Sequence, residues 1–267
     1  RELCRLMDKE ILIMWTGPQV CSKSITLEDA KNIEKEAENR LVIWDNYPVN
    51  DYARNRLNLG PLKGRDPHLH RLIKGIFSNP MNEPHASLLP LATFADYLWN
   101  PENYDAEDSW ERALRLLYGD CSNDVAFFAR QLGSSILWPE EPRELEHLRS
   151  YAQDLRITQE LSNYFSKLSS LRRKLEKCGK EVLNFVEETS RYLTKLHLYG
   201  EAGLRLLRPS EELDDERVFE YWHEFLRLLI SAEDIQEAAG EIPYFDEVNW
   251  RISSSRFLCE VLLLAIK

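Results

Sequence analysis

Apolar runs in the first hundred residues alternate with amphipathic stretches. Ile11-Leu12-Ile13-Met14-Trp15 is unbroken, the pattern of a strand buried on both faces. Thr26, with Asp29 three residues on, has the spacing of a capping box, and Ala30, Ile33 and Ala37 continue at helical period. Leu41-Val42-Ile43-Trp44 reads as a second strand and is followed by a long polar loop. Leu69, Leu72 and Ile73 mark a short helix, and Ile76-Phe77 a third, weaker strand. Ala86 to Tyr97 reads as a helix interrupted near Pro90, since proline removes a helical donor and crowds the preceding turn. This alternation is the signature of parallel βα units, which here would make only a small open sheet.

From about Asp105 the period becomes helical throughout. Trp110, Leu114 and Leu117 share one helix face, and Val125, Phe128 and Leu132 another. A stripe runs through Leu145, Leu148, Ala152 and Leu155 to Leu161, Tyr164, Phe165 and Leu168. Val182, Phe185, Val186, Leu193 and Leu196 predict one long helix. Val218, Trp222, Phe225 and Leu229 predict a further one after Pro209 and the capping candidate Ser210, and Val248 to Leu262 a last. Helices joined by short loops pack as a bundle. The predicted architecture is α/β followed by all-α, with a first domain over 1–103 and a helical bundle over 104–267.

Composition changes little in that picture. Of 267 residues, 43% are hydrophobic and 30% charged, an ordinary globular balance. No apolar run approaches the ~20 residues of a membrane span. The net charge of -11 argues against nucleic acid or an anionic membrane as a general partner. The basic cluster Arg172-Arg173-Lys174 with Lys177 falls within a helical pattern and reads as a solvated face. The five cysteines (Cys4, Cys21, Cys121, Cys178, Cys259) form no CxxC pair and none has metal-ligand spacing to a histidine. They read as reduced, mostly buried thiols, which favours a cytoplasmic location and leaves secretion open. No metal and no cofactor is expected, since there is no phosphate loop, GxSxG elbow or HExxH.

The polar residues gather at strand ends. The first strand runs into Trp15-Thr16-Gly17-Pro18, the second into Trp44-Asp45-Asn46-Tyr47-Pro48-Val49-Asn50-Asp51, and the third into Ser78-Asn79-Pro80-Met81. In parallel α/β folds that end binds ligands. Asn and Asp suit vicinal hydroxyls, and Trp offers a flat apolar face to a sugar ring or methyl group. Strand-end Asn and Asp also cap helices and close turns. Trp44 has the character of a core residue as well, and Asp45 suits an internal loop anchor.

These segments, together with Leu59-Gly60-Pro61, Gly64-Arg65, Ala92-Thr93 and Asp96-Tyr97-Leu98-Trp99-Asn100-Pro101, occur in the order seen in glycoside hydrolase family 84, the bacterial and animal O-GlcNAcases. The chain resembles the C-terminal part of that family's catalytic barrel, closely over about 10–110 and loosely through the helical region. The resemblance implies the last strands of a (β/α)8 TIM-type barrel plus a C-terminal helical bundle. It implies a retaining β-N-acetylglucosaminidase that cleaves terminal β-linked GlcNAc through an oxazoline, with a GlcNAc-bearing glycoside or glycoprotein as partner. It also implies that Asp51 bonds the 4- and 6-hydroxyls, Asn79 neighbouring hydroxyls, and Asn46 the sugar or the acetamide side. Trp44 would wall the acetamide pocket, and Thr16 would stand at the pocket edge. The family's adjacent catalytic aspartates follow an earlier strand. Asp214-Asp215 lies in the helical half and does not match that context, so the pair is expected upstream, on the N-terminal half of the barrel, whether in the same or a separate polypeptide. Two alternatives accompany this reading: a non-catalytic glycan-binding or scaffold protein if the chain is complete, and a hyaluronidase-like activity.

Overall fold

Three parallel strands in sequence order, β1 (Ile13–Trp15), β2 (Leu41–Asp45) and β3 (Ile76–Ser78), form one small sheet with β2 at its centre. They belong to a computed structural model that describes residues 4, 6–52, 56–132 and 158–206. The chain divides into two units. The first is Arg1–Asp51 with Asn58–Gly119, and the second is Tyr52–Leu57 with Asp120–Lys267.

In the first unit, α1 (Leu27–Ala37) starts at the predicted capping box. Thr26 Oγ1 accepts from the Asp29 amide at 3.1 Å, and the Asp29 carboxylate accepts from the Thr26 amide at 3.0 Å. The helix ends on Glu38 in the left-handed region. The strands pair in register Trp15–Ile43–Ile76, and this row lies on the side covered by Ile25, Ala30 and Leu69, with Leu72 and Ile73 packed alongside. The short helix expected around Leu69 is a single 3-10 turn, Leu69–Arg71.

The expectation that the first strand is buried on both faces is corrected. Only Ile13–Trp15 is extended, and Ile11, Leu12 and Met14 are 46, 49 and 55% exposed. The cause is topological. β1 lies at the sheet's edge, and among the described residues no helix covers the face bearing Met14, Trp44 and Phe77 as one covers the other face. Pro90 also fails to interrupt its helix, because α2 runs unbroken over Pro84–Trp99. Leu89, Thr93, Phe94 and Tyr97 are all buried, so packing on both sides of the proline holds the turn it weakens. α3 (Ala106–Tyr118) completes the unit. Asp105 caps it, and Trp110 anchors it by donating from Nε1 to the Leu59 carbonyl at 2.8 Å.

From Ser122 on, the described part of the second unit is helical: α4 (Ser122–Gln131), α5 (Thr158–Leu175), α6 (Lys180–Glu188) and α7 (Ser190–Leu206). The single helix predicted over Val182–Leu196 is two, parted at Thr189. The Thr189 hydroxyl donates to the Phe185 carbonyl at 2.7 Å, the kind of back-bonding that bends and ends helices. α7 lies close against α5: a Cβ on Gly200 would stand 2.4 Å from the Ser169 amide nitrogen, and one on Gly203 would meet the Phe165 ring. The basic cluster closes α5 on its solvated side, as expected, with Arg172 paired to Glu176 at 2.8 Å.

Cys121 and Cys178 form a disulfide, with Cα atoms 6.5 Å apart. This corrects the reading of five reduced thiols. The partners are 57 residues apart in sequence, and helix packing brings them together, which spacing alone does not reveal. The cysteines therefore no longer favour a cytoplasmic location. Cys4 and Cys21 are free. Among the described residues no helix is long and apolar enough to cross a membrane. Cys259, the Leu145–Leu155 stripe, Asp214-Asp215 and the helices predicted over Val218–Leu229 and Val248–Leu262 lie outside the described residues.

Candidate functional site

The carboxyl ends of β2 and β3 are stitched together by backbone. The Asn79 amide donates to the Asp45 carbonyl at 2.9 Å, and the Asn79 carbonyl accepts from Val49 at 2.9 Å. Side chains build a relay on that frame. Trp44 Nε1 donates to Asn46 Oδ1 at 2.9 Å, Asn79 Nδ2 donates to the same oxygen at 3.0 Å, and Asn46 Nδ2 donates to the Val20 carbonyl at 2.7 Å.

The relay has a fixed polarity. An indole N–H only donates and a backbone carbonyl only accepts, so the Asn46 amide has one orientation. Its oxygen then demands the Asn79 NH2 group, which turns the Asn79 oxygen away from Asn46 as an acceptor for another group. Trp44 is 37% exposed although it sits in the central strand.

Three predicted residues, Trp44, Asn46 and Asn79, thus meet directly. Asp51 is exposed at the far end of the loop. Thr16 is half-buried, and its hydroxyl donates to the Gln19 carbonyl at 3.2 Å, closing a turn within its own loop. That turn depends on Gly17. Its φ is +96°, and a Cβ there would lie 2.3 Å from Ser22 Oγ. The turn presents Val20 to Asn46 and sets Cys21 close by. The Cys21 thiol is pushed up by burial and by the Asp51 and Asp45 carboxylates, which keeps it protonated and a poor nucleophile at neutral pH.

Asp45 is the internal anchor that its position allowed. Arg65 donates to both its oxygens, from Nη2 at 2.6 Å and Nε at 2.7 Å, and both side chains are 2% exposed. The sequence pointed at Arg65 only as part of a matched segment. A strand-end carboxylate that must be buried was the one signal that a cationic partner existed, and it did not say which. Among the described residues no cluster of His, Cys, Asp or Glu is arranged to hold a metal ion.

This geometry can be set beside known proteins. Residues 1–130 match the model of the β-N-acetylglucosaminidase family. The protein O-GlcNAcases of Rattus norvegicus and Mus musculus are each 41% identical over 87 residues, which is 33% of this chain and 10% of theirs. Two solved structures align over 97% of the chain. One is CpGH84B, with a TM-score of 0.75, 26% identity and 46% of that chain covered. The other is a mutant O-GlcNAc hydrolase of Thermobaculum terrenum, with a TM-score of 0.74, 29% identity and 56% covered. The chain therefore spans about half the length of these structures and a tenth of the curated relatives. The resemblance read from the segments around Trp44 and Asn79 is the one these comparisons show.

Proposed function

From this likeness to the β-N-acetylglucosaminidases of glycoside hydrolase family 84, we propose that the chain is part of a retaining enzyme that removes terminal β-linked GlcNAc from glycoproteins or related glycosides. The three strands are the last of a (β/α)8 barrel, residues 1–103 are its C-terminal portion, and residues 104–267 are a separate helical bundle domain. The open Met14, Trp44 and Phe77 face is the barrel's interior side, and the free edge of β1 accepts the preceding strand. A barrel has no edge, which is how such a sheet avoids exposing unpaired backbone.

The observation that carries the reading is the polarised Trp44–Asn46–Asn79 relay at the strand ends, with the Asp51 carboxylate exposed in the same loop. Asn79 Oδ1 and the Asp51 oxygens are acceptors, and sugar hydroxyls supply the donors. The Trp44 ring packs against the acetamide. Asn46 braces Trp44 and Asn79, and the Thr16 turn forms the rim.

Cleavage proceeds by substrate assistance, outside the usual scheme of two protein carboxylates with one as nucleophile. The acetamide oxygen attacks the anomeric carbon as the bond to the leaving oxygen breaks. One aspartate polarises the acetamide. The other protonates the leaving oxygen, then takes a proton from the water that opens the oxazoline. Two adjacent carboxyls hold different protonation states because like charges push their pKa values apart. Both aspartates belong to the upstream barrel half.

The test is turnover of an aryl β-GlcNAc substrate by the complete gene product, with retention of anomeric configuration followed by NMR. Turnover with retention is expected. Glycan binding without turnover would replace this reading with that of a binding or scaffold protein.

A further inference from the structure

Arg65 joins three chain segments beneath the Trp44–Asn46–Asn79 relay. Its Nε and Nη2 hold the two oxygens of Asp45, and its Nη1 donates to the carbonyls of Lys63 at 2.9 Å and Lys23 at 3.2 Å. Two of these contacts, those to Asp45 and Lys23, bear on the relay. Asp45 is the residue between Trp44 and Asn46, and its own carbonyl receives the Asn79 amide. Lys23 belongs to the loop after β1, where Val20 receives Asn46 Nδ2. One planar cation therefore fixes the strand end that carries the donor of the relay and the loop that carries its final acceptor.

The local chain is shaped to permit this. Gly64 has φ +74°, and a Cβ there would stand 2.4 Å from the Lys23 carbonyl oxygen, so only glycine lets the Arg65 segment come so near the Lys23 loop. The Arg65 amide segment is also tied to Ile25 by a parallel bridge. A buried ion pair is weak grounds for stability, since its desolvation offsets much of its attraction. What a bidentate guanidinium supplies is a fixed angle, which a lysine at the same place cannot reproduce.

We propose that Arg65 is a positioning residue for the sugar site: through Asp45 and the Lys23 loop it sets the angle at which Trp44 and Asn46 meet the ligand. The proposal rests on the GlcNAc reading above. Arg65→Lys in the complete gene product tests it by kinetics and by the indole N–H resonances. Misplacement of the relay by a fraction of an ångström is expected to lower kcat/KM on an aryl β-GlcNAc substrate about 10- to 100-fold. The Arg65→Lys and Asn46→Ala losses are expected to overlap, the double variant falling no more than about threefold below the worse single, because both disable one relay. Purely structural damage would multiply instead.

The Trp44 indole resonance, identified with Trp44→Phe, is expected to move in Arg65→Lys. That of Trp110, bonded to the Leu59 carbonyl, is expected to stay. Should Arg65→Lys not fold, Asp45→Asn keeps the shape, loses the charge, and is held to the same outcomes. An unmoved Trp44 resonance, wild-type kinetics, or multiplying losses would overturn the proposal. If the unmutated protein turns over no GlcNAc substrate, the GlcNAc reading fails, while the indole resonances still decide whether Arg65 positions the relay.

Discussion

Asp45 ends β2 and Asp51 lies six positions on, in the loop that follows, and their surroundings differ sharply. Asp51 is exposed, so on the proposed sugar-site reading its loss removes acceptors from the ligand and little from the fold. Unpaired sugar hydroxyls in a closed site cost ~2–4 kcal/mol. Asp51→Ala in the complete gene product is therefore expected to lower kcat/KM by ~30- to 1000-fold with little change in Tm. Asp45→Ala strands the Arg65 guanidinium in a dry setting, and breaking a buried pair that way costs about 3–5 kcal/mol. Its melting curve is expected to fall steeply together with activity. A kinetic constant and a melt for each variant check both outcomes, and near-wild-type kinetics for Asp51→Ala would remove the sugar-site reading at its root. Two tyrosines add a pH dependence. Tyr97 and Tyr104 stack edge to face at 5.5 Å, and each hydroxyl donates to a backbone carbonyl. Burial pushes Tyr104 up to about 12 and Tyr97 higher still, so the unfolded chain ionises first. The stabilisation is complete below pH ~10 and is lost as pH rises from there through 12, the direction linkage requires for a raised pKa. Tyr104→Phe is expected to flatten the alkaline limb of stability against pH.

Among the elements, the pair α5 and α7 depends on absent side chains. Gly200→Ala would drive a methyl into the Ser169 backbone, which cannot rotate away as a side chain can. It is expected to cost about 1–3 kcal/mol in denaturant unfolding of the protein, the usual size of overpacking. The Cys121–Cys178 bond joins the start of α4 to the end of α5 and closes a loop of 57 residues. Reduction, or Cys121→Ser, is expected to remove about 4 kcal/mol on the loop-entropy model. Non-reducing peptide mapping would show the linked pair, and a protein whose stability is indifferent to reductant would refute the estimate.

At the scale of the whole molecule, the exposed Met14, Trp44 and Phe77 face and the outer edge of β1, which pairs with no other strand among the described residues, decide what can stand alone. Residues 1–103 by themselves are expected not to melt cooperatively as a monomer, since that cut also removes Tyr104 and Trp110, which bond the Leu62 and Leu59 carbonyls. Calorimetry with light scattering would check it. The sequence by itself determined the elements whose signals are local. The Thr26–Asp29 box, the β2 run and the helical stripes of Trp110 and Phe165 each need only neighbours within a turn or a pleat. It also placed Trp44, Asn46 and Asn79 at strand ends, because strand direction follows from chain order in βα units. Tertiary structure alone decided the rest. The exposure of Met14 depends on what lies over the sheet, the survival of α2 through Pro90 on what packs beside it, and the partners of Asp45 and Cys121 on segments 20 and 57 residues away. Contacts at such separations are specified by the sum of all packing, and no single residue announces them.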